Sequence, residues 1–98
     1  MRPLEHDALQ PFARKYVWWK APIDAVAMPE RVIAQVMDIG DWADVRALES
    51  MVGRPKLYDV LTHAEAGQFH ARSWVFWHYR LGLSTLEQTP PLPTRQFG

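Results

Sequence analysis

Proline and glycine punctuate the middle of this chain at intervals that suit short helices. Pro29 has the fixed φ and missing N–H that suit a first helical position, and Val32, Ile33, Val36 and Met37 follow at three- and four-residue spacing. Gly40 then stands where a left-handed cap is expected, so a helix is expected over 29–39. Asp41 offers its carboxylate as the next N-cap, with Asp44 in the first turn. Trp42, Val45, Leu48 and either Met51 or Val52 form an apolar stripe that stops at Gly53, which marks a second helix over 42–52. Pro55 opens a third, about 55–64, with Leu57, Val60 and Leu61 inward and "HAEAG" closing at Gly67. In "HARSWVFWHYRLG", Trp74, Trp77, His78 and Leu81 share one face of a fourth helix over about 70–81, with Gly82 as its stop. Val75, Phe76 and Tyr79 lie elsewhere on its circumference. A helix so apolar all round is expected at the centre of a bundle or against a partner.

The flanks read differently. Residues 1–15 are mixed and weakly periodic, and Pro22 and Pro29 discourage regular helix between them. The stretch "KYVWWKAP" is expected to be extended, so Tyr16 and Trp18 would point one way, Val17 and Trp19 the other. One tryptophan then enters the core and the other faces outward, with Trp18 the inward one. The tail "TPPLPTRQFG" favours an extended, polyproline-like path, with Leu92 and Phe97 packed over the bundle. The expectation is a single all-α domain over 1–98: a compact bundle of four to five short helices (29–82), an extended aromatic N-terminal arm (1–28) and a proline-rich tail (83–98).

Composition narrows the function classes. A chain of 98 residues buries about 60–65% of its unfolded surface, which leaves little room for a large catalytic cleft. Its 11 basic and 11 acidic side chains cancel, so no overall field draws it to nucleic acid. The absence of cysteine removes disulfides, thiolate catalysis and thiolate zinc sites, and fits the cytoplasm. No run of about 18 apolar residues offers a membrane span, and "MRPLEHDALQPFARK" lacks the apolar stretch of a signal peptide.

The candidate chemistry is correspondingly thin. His63, His70 and His78 are seven and eight residues apart. Eight helical residues rise about 12 Å, too far for a shared ion, so neither metal nor cofactor is expected. Ser50, Ser73 and Ser84 lack a nucleophile elbow and the glycines form no phosphate loop, so neither an enzyme nor a small-molecule substrate is expected. Two functional surfaces remain. The aromatic residues Tyr16, Trp18, Trp19, Phe76 and Tyr79 are candidate anchors for a protein partner. The connection "MVGRPK" has the form of a helix-turn-helix, with Arg54, Lys56 and Tyr58 near the start of a recognition helix and Arg14, Lys15 and Lys20 as added cations. Asp38, Asp41, Asp44 and Glu49 surround that unit with opposing charge.

Taken in order, "YVWWKAPIDAVAMPERVIAQVMDIGDWADVRALESMVG", "LYDVL" and "SWVFWHYRLGL" resemble a family of small bacterial proteins that look like antitoxin-type neighbours of abortive-infection nucleotidyltransferases. The likeness covers residues 16–83 and rests on Trp18, Trp19, Pro29, Val32, Ile33, Val36, Gly40, Trp42, Leu48, Gly53, Phe76 and Trp77. Many members carry Tyr-Gly where this chain has Val52-Gly53. The resemblance implies a non-enzymatic module that binds and neutralises a nucleotidyltransferase-type toxin. The alternative is a helix-turn-helix DNA-binding regulator.

Overall fold

Helix α3 (Pro29–Ile39) packs against every other described helix, in a computed structural model that describes residues 3–83 and 89–93. Six helices and no strand occur among those residues: α1 (Pro3–Tyr16), α2 (Pro22–Ala25), α3, α4 (Trp42–Val52), α5 (Arg54–Thr62) and α6 (Ala71–Arg80). Pro29, Val32, Ile33, Ala34, Val36 and Met37 are all buried on α3, so its apolar face is wide enough to serve as the central strut. Val45 and Leu48 from α4, Leu57, Val60 and Leu61 from α5, and Trp74 and Trp77 from α6 close around it.

The expected extended arm is replaced by helix. Leu9, Phe12, Ala13 and Tyr16 recur at the three- and four-residue spacing of one helical face, and Leu9, Ala13 and Tyr16 are buried. Pro11 sits inside α1 and removes one backbone bond, which that packed face offsets. Pro22 does not prevent helix either. It occupies the first turn of α2, where a missing N–H costs nothing. Because α1 runs to Tyr16, the alternation of an extended strand never applies: Tyr16 and Val17 are both buried, whereas Trp18 and Trp19 both turn outward, 76% and 57% exposed. Neither tryptophan is the inward one.

Gly40 also departs from expectation. Its φ of −64° and ψ of 147° are extended, not left-handed. A side chain is excluded there for a different reason, since a Cβ would lie 2.4 Å from the carbonyl oxygen of Val36. Gly53 does need glycine's freedom: it is the whole connection between α4 and α5, at φ 82°. α6 is not the centre of the bundle. It buries Trp74, Trp77 and His78 and leaves Phe76 and Tyr79 at the surface. Of the tail, Pro90 accepts a hydrogen bond from the Trp74 indole at 2.7 Å and Leu92 packs on the core. Phe97 lies outside the described residues. No described helix is long and apolar enough to cross a membrane.

Two contacts tie α6 to the end of α3. Trp77 is fully buried and its indole N–H donates to the Met37 carbonyl at 2.8 Å, one of the last-turn carbonyls that a helix leaves without a partner. Asp38 reaches the start of α6, where it accepts from the His70 backbone N–H at 2.8 Å, from the His70 ring at 2.7 Å and from the Ser73 hydroxyl. It does from another helix what a capping side chain does locally.

Trp77→Ala should destabilise the protein by about 3–5 kcal/mol in urea denaturation, as aromatic truncations in packed interiors do, and Trp77→Phe by about 1–3 kcal/mol for the unpartnered carbonyl. A loss below about 1 kcal/mol for the alanine variant would place Trp77 outside the core. Asp38→Ala should cost about 0.5–2 kcal/mol and fray α6 first, visible as faster amide exchange at Ala71 to Ser73 than in α5.

Candidate protein-interaction surface

The exposed tryptophans stand on a turn that is pinned at its base. The Val17 N–H continues the ladder of α1 by bonding the Ala13 carbonyl at 2.8 Å. Tyr16 donates its hydroxyl to Asp44 at 2.5 Å and accepts from the Asp41 backbone N–H at 3.2 Å, which fixes the end of α1 to the start of α4. Lys15 adds an ammonium 2.7 Å from Asp44 and 3.1 Å from Asp41. The bond to Lys15, then that to Tyr16, holds the Asp44 carboxyl below the usual carboxylate range. Asp41 is lowered too, first by the backbone N–H of Asp44 that it caps and then by Lys15. Burial and the bond to Asp44 raise the Tyr16 phenol, which keeps it protonated as a donor.

Above this base, Trp18 and Trp19 meet edge to face, with ring centroids 5.8 Å apart at 87°. Trp19 forms one wall of a groove of about 190 Å³ floored by Val17, Ala25 and Val32, with Lys20 and Arg31 on its rim. Ile23 is exposed a few residues on.

A second groove, about 430 Å³, lies between the start of α4 and the outer face of α6. Trp42, expected inward, is 53% exposed here. It begins α4 at the corner where α3 turns, so its ring rests on the rim, edge-on to Phe76 at 6.4 Å. The Arg80 guanidinium lies over the indole, 4.9 Å from the ring centroid, and makes two 2.8 Å bonds to Glu49. That pairing lowers the Glu49 carboxyl and raises Arg80.

Of the aromatic candidates, Trp18, Trp19, Phe76 and Tyr79 are therefore at the surface, divided between the corner after α1 and the face of α6. Tyr16 is withdrawn into the core, where it braces the corner. The basic candidates do not form one patch of uncommitted charge. Lys15 is spent on Asp41 and Asp44, Lys56 bonds Glu30 at 3.0 Å, and Arg54 donates to the Arg80 carbonyl at 2.7 Å. Arg14 and Lys20 make no ion pair with a described residue, and Tyr58 is about half exposed on α5. The single-residue link at Gly53 is also shorter than the three- to four-residue turn of a helix-turn-helix.

The histidines serve separate local roles. His63 bonds the Asp59 carbonyl, His70 is held by Asp38, and buried His78 lies on the Trp74 ring with its Nδ1 on the Trp74 carbonyl. No group of three or more metal-ligating side chains occurs among the described residues.

No family model, curated protein or solved structure matches the chain.

Asp41, Asp44, Glu30 and Glu49 all have folded-state values below their ordinary ones, each held by a cation or a backbone donor. Their stabilisation is complete above the ordinary carboxylate value, about 4, and should be lost as pH falls through the lowered folded values. Lys15→Met removes the first cause acting on Asp44, so its melting temperature should fall less steeply below about pH 4 than that of the wild type. Tyr16→Phe should flatten this acid limb to a smaller extent. Superimposable acid limbs for wild type and Lys15→Met would show that the cluster does not couple to folding.

Proposed function

We propose that this protein works by binding another protein, with the Trp18–Trp19 corner as its anchor, and that the partner is of the nucleotidyltransferase-type toxin class implied by the family resemblance. The observation that supports this reading is the exposure of two adjacent indoles on a braced turn. Leaving this much aromatic surface in water forgoes the gain of burying it, whereas a partner that covers the rings recovers that gain. Bracing matters as well. Tyr16, Asp41 and Asp44 hold the base of the turn, so less ordering cost falls on the binding step. Lys20 beside the groove under Trp19 favours a partner surface with a carboxylate at its edge, whereas Arg31 on the same rim already faces Glu65 at 3.8 Å.

Reading DNA through α5 makes different demands. Lys56 would have to leave Glu30, Arg54 would have to leave the Arg80 carbonyl, and the chain's balanced charge would give little long-range attraction. Protein binding needs none of these rearrangements.

The test is co-expression with the product of the adjacent gene, followed by pull-down and calorimetry. Trp18→Ala and Trp19→Ala should each keep the wild-type melting temperature, because neither ring is in the core. At least one should weaken the partner by about 2 kcal/mol, near 30-fold, as a desolvated aromatic anchor does. Wild-type affinity in both variants would remove the corner from the interface. A salt-sensitive mobility shift on the protein's own promoter, lost in Lys56→Ala, would favour the regulator instead.

A further inference from the structure

The groove between α4 and α6 has a chemical character of its own. Met37 and Val45 contribute to its apolar lining, and the edge-to-face pair Trp42 and Phe76 stands at its rim. Trp42 is held in place although half exposed, since Arg80 lies over its ring and is itself locked to Glu49. The ring is thus presented rather than loose.

The polar lining is unequally committed. Asp38 has only 4% of its side chain exposed and accepts from the His70 backbone, the His70 ring and Ser73, so its charge is turned into the protein. Arg72 lines the same groove, is exposed, and makes no ion pair with a described residue. On α6, Arg72 and Phe76 are four residues apart and share a face. An apolar surface therefore lies one helical turn from a cation that is unpaired among the described residues.

We infer that this groove is a docking site for an acidic segment of a partner protein, which lays an aromatic or branched aliphatic side chain against Trp42 and Phe76 and sets a carboxylate on Arg72. A protein segment fits better than a free small molecule. Small-molecule pockets enclose most of their ligand, about 70–90% of its surface, whereas this groove is open and the two aromatic residues at its rim, Trp42 and Phe76, face solvent. A side chain carried on a second surface can use such a groove, because the rest of the interface supplies the cover. Arg72 selects the flanking charge, since its guanidinium can pair a carboxylate through two parallel bonds. This site does not depend on the Trp18–Trp19 reading.

The test is titration of the isotope-labelled protein, followed by NMR, with two acetylated and amidated hexapeptides. Each has a central Leu-Phe pair, flanked by aspartates in one and by lysines in the other. The aspartate peptide should shift the Trp42 indole N–H and the Arg72 and Phe76 amides saturably, and the lysine peptide should bind about tenfold more weakly or worse. Arg72→Glu should reverse that preference. The change lies in the first turn of α6, where an acidic residue suits the helix dipole, so the fold should survive it. Phe76→Ala should weaken both peptides, and Trp18→Ala neither. Equal affinity for the two peptides would overturn the inference, as would the absence of a saturable shift at the groove or shifts confined to the Trp18–Trp19 corner. Concentration-dependent dimerisation that shifts the groove amides without peptide would assign the groove to a second copy of the chain and overturn it equally.

Discussion

The end of α3 cannot satisfy its own backbone, and the remaining helices are arranged around that deficit. A helix leaves its last carbonyls unpaired, and this one must also turn into α4 within two residues. The Gly40 N–H closes on the Val36 carbonyl, but the Asp41 N–H, which would have reached Met37 in a continuing helix, is taken by Tyr16. The Trp77 indole fills the vacancy at Met37. One corner thereby fixes α1 through Tyr16 and α6 through Trp77, and Asp38 beside it secures the first turn of α6. Gly40 has to be glycine because the chain bends back against its own last turn there.

This corner decides which aromatic residues are inside. Trp77 and Tyr16 are drawn in because each brings a polar group that the corner requires, and a buried indole or phenol needs such a partner. Val17 still reaches the core, but the chain then turns and carries Trp18 and Trp19 outward. Trp42 starts α4 on the outer side of the same corner. The aromatic surface is thus a consequence of where the fold spends its polar bonds, and its two patches flank elements that the corner holds rigid.

Local punctuation made the middle of the fold legible. α3 and α4 lie where Pro29, Gly40, Asp41 and Gly53 place them, and the Asp41 cap on Asp44 forms as its spacing suggests. The inward residues of α3 and α5 follow helical periodicity. α1 escaped because Pro11 and a run of charges obscured the Leu9, Phe12, Ala13, Tyr16 face, although the signal is present. At Trp18 the two-residue period of a strand does not apply, because the residues before it are helical. At the α6 surface, Phe76 and Tyr79 were readable as off the buried face. The groove beside them was not, since it needs Trp42 and Phe76, which are 34 residues apart, to meet. The pairing of His70 with Asp38, separated by 32 residues, was hidden for the same reason.

Long-range pairing also explains why charge read along the chain is a poor guide to what this surface can bind. Read along the chain, Lys15, Arg54 and Lys56 are basic residues near a helical hairpin; in three dimensions each is assigned to an internal acceptor, and each neighbouring carboxylate gains a cation or donor in return. Exposed pairs of this kind contribute little stability singly, but they remove charges from the inventory available to a ligand. Beside each patch of exposed aromatic surface stands a cation that makes no ion pair with a described residue, Lys20 at one and Arg72 at the other. A polyphosphate backbone is best met by many cations at regular intervals, whereas a protein surface is best met by a few apolar anchors with selective charge around them. The distribution of spent and unspent groups here matches the second requirement.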